Sequence, residues 1–166
     1  CDMTDKPLLD FRKAVAANGP PDLLILNAGI AVPAFLETCK RASYRDHMEV
    51  NFFAVVDLTR AAIQMMPPGS HIVFIASGAA FFGIQGHGAY VASKFALRGF
   101  AEAMRAELKP KGIRVSIVYP PNTDTKMFAD EMQNISPETK AITMTARTVS
   151  AEYVSKKILK LLLSTT

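Results

Sequence analysis

A chain of 166 residues that is 49% hydrophobic and 20% charged holds enough apolar material for one globular core, and is too apolar for a disordered segment. Its formal charge of +4 arises from 19 basic and 15 acidic residues with no block of like charges, which is too diffuse to mark a nucleic-acid partner. The two cysteines, Cys1 and Cys39, stand outside any CxxC pair and away from histidine clusters, so they read as free thiols of a reducing compartment, with no metal site.

The chain opens on Cys1-Asp2-Met3-Thr4-Asp5 and runs straight into a helical pattern, which places its first residue inside a domain. Leu8, Leu9, Phe11, Ala14 and Val15 recur at helical spacing until Asn18-Gly19-Pro20-Pro21 stops them. Asp22 to Leu26 is a short apolar run between breakers and predicts a buried strand. Ser43 to about Met66 predicts one long helix, ended by Pro67-Pro68-Gly69. His71 to Ala76 predicts a second buried strand, Gly88 to Leu108 a second long helix, and Arg114 to Tyr119 a β-branched strand that stops at Pro120-Pro121. Ser150 is the expected N-cap of a last helix with Val154, Ile158, Leu159 and Leu162 on one side, expected to cover the sheet. No apolar run approaches the roughly 20 residues of a membrane span.

Strands without polar alternation, separated by helices, predict a parallel sheet covered on both faces. Ligands of such sheets sit beyond the carboxyl ends of the strands. Those ends carry Asn27-Ala28-Gly29, Ser77-Gly78 and Pro120-Pro121-Asn122-Thr123. Near the start of the second long helix, Tyr90 and Lys94 share one face one turn apart. A lysine beside a tyrosine favours the phenolate and lowers the phenol pKa from about 10, which makes it a usable acid or base. A glycine-rich loop between Ser77 and Tyr90 lets the serine hydroxyl fold back toward the phenol. Asn51, in an apolar stretch of the first long helix, needs hydrogen-bond partners if buried. Taken singly, each feature has an ordinary reading: a solvated helix face, a turn serine, a turn, a structural amide. His87, just upstream of Tyr90, tempts a Ser–His reading, but no carboxylate partner is evident nearby. It reads as a loop histidine at the mouth of the site, while His47 and His71 read as structural.

Together, Asp2-Met3-Thr4, Asn27-Ala28-Gly29, Asn51, Ser77, Tyr90-x-x-x-Lys94 and the Pro120 loop resemble the short-chain dehydrogenase/reductase family, in that family's order and over the whole chain. The resemblance implies a Rossmann-like, doubly wound parallel α/β sheet. Residues 1–166 are expected to be a partial dinucleotide-binding and catalytic domain, lacking the first β–α units, with their glycine-rich phosphate turn, and the last strand. It implies that Tyr90 is the proton donor to a ketone and that Ser77 orients the carbonyl oxygen. Lys94 would tune Tyr90 and bind the nicotinamide ribose, and Asn51 would hold a water that joins Lys94 to solvent. Asn27, Ala28 and Gly29 would lie by the adenosine-side ribose, Asp2 by the adenine, and Pro120 and Thr123 by the carboxamide. NADP(H) is favoured over NAD(H).

Within the family, Tyr119-Pro120-Pro121-Asn122-Thr123-Asp124-Thr125 is similar to the loop of the 3-ketodihydrosphingosine reductases. That likeness implies a lipid-like ketone substrate, a long-chain 3-keto sphingoid base. Met127, Phe128, Met132, Ile135, Ile142 and Met144 suit an acyl chain or ordinary packing, and Asp124 or Glu131 would partner the substrate's amino group. The rivals are a family reductase acting on a steroid, retinoid or 3-oxoacyl thioester, and a nucleotide-binding scaffold without turnover. The family implies a homo-dimer or homo-tetramer formed through the two long helices, with Ala54, Ala61, Ala62, Ala101 and Ala103 at the contact. The expected location is cytoplasmic, at the cytosolic face of the endoplasmic reticulum in a eukaryote, with membrane association through regions outside these residues.

Overall fold

The computed structural model describes residues 5–163. Three parallel strands, β1 (Leu23–Leu26), β2 (His71–Ile75) and β3 (Arg114–Val118), lie side by side in chain order. Leu26 is level with Phe74, and Phe74 with Ile117, so the three carboxyl ends open on one edge. Helix α1 (Asp5–Asn18) precedes β1, and α2 (Arg41–Met48) with α3 (Ala54–Ala62) links β1 to β2. Helix α4 (Gly88–Leu108) links β2 to β3. This alternation is the parallel α/β arrangement predicted from the strand pattern. A second, two-stranded parallel sheet joins β4 (Asn122–Asp124) to β5 (Thr148–Ser150), with α5 (Lys126–Asn134) and α6 (Pro137–Thr143) between them and α7 (Ala151–Leu163) after.

The core forms where β2, central and wholly buried, meets α3 and α4. Ile72, Phe74, Val55, Leu97, Ala101 and Leu108 pack there, and Phe100 closes edge-on against Phe74 at 5.9 Å. Each of the larger of these side chains contributes about 1.5–3 kcal/mol by leaving water. Gly112, at φ 70°, makes the left-handed turn between α4 and β3, a conformation glycine adopts without steric cost.

Four expectations need correction. The strand at 22–26 is not uniformly buried. Leu24 and Leu26 face the core, while Leu23 and Ile25 project to the opposite side, where they are 42% and 43% exposed. The 43–66 stretch is not one regular helix, because Glu49–Phe53 forms a π-helical turn between α2 and α3. Ala62 and Ala101 are buried in the chain's own core and are closed to any subunit contact. Finally, α7 is capped as expected, with the Tyr153 N–H donating to Ser150 Oγ at 3.1 Å, but it packs chiefly on β4 and β5 and has no fully buried residue. It follows β5 directly, and the pairing of β5 with β4 places it on the smaller sheet.

Candidate active site

Because the strands are parallel and in register, the segments leaving β1, β2 and β3 are neighbours. Asn27-Ala28-Gly29, Ser77 and Pro120 therefore meet at one edge. The Gly78 N–H donates to the Pro120 carbonyl at 3.3 Å and ties two of these loops together. Helix α4 begins beneath them, with the His87 carbonyl accepting the Val91 N–H, and its first turns carry Tyr90 and Lys94 to the same edge.

Ser77 caps a short 3₁₀ turn, its Oγ accepting the Ala79 N–H at 3.1 Å, and this holds the hydroxyl on the side of the Tyr90 phenol, close enough to act on its proton. Lys94 is only 5% exposed. Its Nζ donates to the Ile75 carbonyl at 3.2 Å and lies 5.6 Å from the centre of the Tyr90 ring. Burial pulls the Lys94 ammonium down to about 8. Burial pushes the Tyr90 phenol up, Glu131's charge adds to this, and the Ser77 hydrogen bond opposes it. The expected lowering of Tyr90 by Lys94 is thus reversed here, since desolvation of the phenolate outweighs a cation that bonds to Ile75 instead. The outcome is a phenol that keeps its proton at neutral pH, the state a proton donor requires.

Asn51 is fully buried in the π-helical turn. Its Nδ2 donates to the Ile30 carbonyl at 3.0 Å and to Ser93 Oγ at 2.9 Å, and its Oδ1 accepts the Ile30 N–H at 2.8 Å. The side chain therefore clamps the loop after β1 onto α4. The π turn makes this aim possible, and such turns often sit at functional sites. A Cβ on Gly29 would lie 3.2 Å from Asn51 Oδ1 and 3.6 Å from Lys94 Nζ, so only glycine leaves space beside the ammonium. Asn27 and Ala28 are exposed just outside it, Thr123 hydrogen-bonds the Pro121 carbonyl at 2.9 Å, and Asp2 lies outside the described residues.

His47 and His71 are engaged structurally, His47 between the Ser43 carbonyl at 2.7 Å and the Val32 N–H at 3.0 Å, His71 on Ser116 at 2.9 Å. His87 differs. It is 3% exposed, with Nδ1 on the Gln85 carbonyl at 3.2 Å and Nε2 on Glu131 Oε1 at 2.8 Å. Both ring nitrogens face acceptors, so the ring fits as an imidazolium. Burial works against that charge, and the bonds to Glu131 and Gln85 outweigh it, so the His87 pKa is raised. The carboxylate partner that the sequence did not reveal sits on α5, and neither ring nitrogen is used on Ser77. Glu131 also lines a cleft of about 430 Å³ between α5 and the loop after β1, together with Gly29, Ile30, Val32, Met127 and Asn134.

The edge fits a nicotinamide dinucleotide. A buried ammonium has three N–H donors, and Lys94 gives one to Ile75, which leaves donors for a ribose diol. The bare backbone of Gly29 provides the approach to it.

Residues 1–136 match the family of short chain dehydrogenases. The 3-dehydrosphinganine reductase of Danio rerio is 40% identical over 152 residues, which are 90% of this chain and 46% of that protein. The 3-ketodihydrosphingosine reductase of Dictyostelium discoideum is 35% identical over 168 residues, 95% of this chain and 50% of its own. The chain thus spans about half the length of the curated relatives it matches. A solved structure of 4-hydroxyisoleucine dehydrogenase complexed with NADH superposes with a TM-score of 0.69 at 25% identity, covering 80% of this chain and 60% of that one.

Proposed function

This chain belongs to the short-chain dehydrogenase family, and from that premise we propose that it is the catalytic part of an NADPH-dependent reductase that converts 3-ketodihydrosphingosine to dihydrosphingosine. The observation that carries the reaction type is the grouping of Tyr90, Ser77 and Lys94 at the carboxyl edge of the sheet. The substrate class rests on the likeness to the sphingoid-ketone reductases of fish and slime mould, and on the Tyr119–Thr125 loop. NADPH is preferred to NADH on the same likeness.

Ser77 donates to the ketone oxygen and orients it, its own lone pair being held by the Ala79 N–H. Tyr90, kept protonated by its buried setting, gives its proton to that oxygen as charge develops there. Lys94 grips the ribose and holds a positive charge beneath Tyr90. Asn51 keeps Gly29 and Ile30 in place, and Gly29 keeps the space beside Lys94 open. Asn27 and Ala28 line the adenosine side, and Pro120 and Thr123 the carboxamide. Asp2 would reach the adenine. The bound cofactor supplies the hydride.

Lys94 tests this assignment. Its ammonium loses its proton as the pH rises through about 8, so NADPH affinity in the full-length enzyme should fall through that range. Lys94→Ala should bind NADPH at least about tenfold more weakly, the effect of losing a charged hydrogen bond, and should lose this pH dependence. Equilibrium fluorescence titration from pH 6 to 10 is the check. Unchanged affinity and an unchanged profile would return Lys94 to a purely structural place.

The enzyme is further proposed to be a dimer or tetramer through α3, α4 and the π turn. Phe53 and Phe95 stand 47% and 44% exposed on these elements, and Ala103 is exposed beside them. Light scattering of the full-length protein at micromolar concentration should give a mass of two or four subunits, and a monomer would refute the assembly. Among the described residues no helix is long and apolar enough to cross a membrane. The proposed place is the cytosolic face of the endoplasmic reticulum, with membrane association through regions outside these residues.

A further inference from the structure

A 2-amino-3-ketone presents an ammonium two bonds from the carbon that is reduced. Any site that excludes water from that carbon must offer the cation a partner. Lys94 makes the need greater, since its own positive charge is buried close to Tyr90. Three carboxylates stand near the cleft or the loop behind it. Asp124 is exposed on β4. Asp130 lines the cleft, but it is exposed and held by Lys126 at 3.1 Å, where water screens it. Glu131 is the sheltered one. Only 16% of its side chain is accessible, and it faces the same cleft as Gly29.

The His87 contact explains how a carboxylate comes to sit there. An imidazolium at 2.8 Å offsets the desolvation of Glu131, and its second N–H is held by the Gln85 carbonyl, so the ring cannot turn away without losing a bond. His87 takes Oε1 alone, and a carboxylate offers about four lone-pair sites over two oxygens. The same contact joins the loop that starts α4, just ahead of Tyr90, to α5, which carries the cleft wall. It therefore sets the carboxylate at a fixed place relative to the proton donor, close enough that its charge is felt at the phenol.

We infer that Glu131, held by His87, is the acceptor for the amino group of the substrate and the residue that separates 2-amino-3-ketones from plain ketones. This rests on the substrate reading above. The geometry adds that the two groups act in series: His87 positions, and Glu131 contacts the ligand.

The test is the ratio of kcat/KM for 3-ketodihydrosphingosine to that for the same ketone lacking the 2-amino group, measured in the full-length enzyme with NADPH. The ratio should be at least about tenfold in the natural protein, the range of a hydrogen bond to a charged group, and should collapse toward unity in Glu131→Gln. If that variant does not fold, Glu131→Asp withdraws the carboxylate by one methylene and should lower the ratio in smaller degree. An unchanged ratio in either folded variant, with both ketones reduced, overturns the inference and leaves the substrate reading standing. If the natural enzyme reduces neither ketone, the substrate reading fails and the inference falls with it.

Discussion

Tyr90→Phe in the full-length enzyme is expected to lower ketone turnover at least a hundredfold, the lower end of what general acid catalysis contributes, about 10²–10⁴. The ring and its packing remain, so NADPH affinity should change by less than about threefold, a free energy below roughly 0.7 kcal/mol. The effect is predicted to sit in kcat, because the phenol proton is needed at the ketone oxygen only as charge builds there. Burial and the nearby Glu131 charge hold the Tyr90 pKa above its ordinary value. The natural enzyme should therefore keep its acid through neutral pH, and no loss of turnover below pH 8 should trace to the phenol. Steady-state kinetics with paired cofactor titrations decides this. Near-normal turnover in Tyr90→Phe would remove the phenol from the reaction and leave Ser77 and Lys94 without a proton donor to serve.

The second large effect concerns the length of the ketone. If the cleft between α5 and the loop after β1 receives an acyl chain, each buried methylene contributes about 0.8 kcal/mol. Four more buried carbons should then raise kcat/KM on the order of a hundredfold. The wall already shows the chemistry this needs. Met127 on α5 lines the cleft and is 43% exposed. Methionine adapts to irregular apolar surfaces at small cost. A series of 3-ketones of increasing length gives the slope directly. A flat series would show that this side chain serves packing, and would turn attention to compact substrates.

The features legible before any coordinates were those with a strong local cause. β2 is an apolar run between breakers, and α4 has continuous helical periodicity from Gly88 to Leu108. Tyr90 and Lys94 share a helix face by spacing alone. Ser77 and Gly29 follow from strand ends, and the parallel register then brings them together. What escaped notice depends on contacts distant in sequence. The His87–Glu131 pair joins a loop to a helix 44 residues on, and no local pattern announces it. The π turn at Asn51 leaves the apolar spacing of its helix almost unchanged, and only the bonds to Ile30 and Ser93 reveal why it is there. β4 and β5 have three residues each, too few for any period to register. The sign of the Tyr90 shift is not legible in spacing, which shows that Lys94 is near, while only the structure shows that its Nζ bonds to Ile75 and that the phenol is desolvated.

The proposed sphingoid-ketone reductase works through Tyr90, Ser77 and Lys94. Its most direct test is to give the full-length enzyme 3-ketodihydrosphingosine, a compact steroid ketone and a 3-oxoacyl thioester, each with NADPH, and to compare kcat/KM while identifying the products. One NADPH should be oxidised per dihydrosphingosine formed, with the sphingoid ketone preferred by at least about a hundredfold, or roughly 2.7 kcal/mol of transition-state binding. Faster reduction of the steroid or the thioester, or no dihydrosphingosine formed, would contradict it.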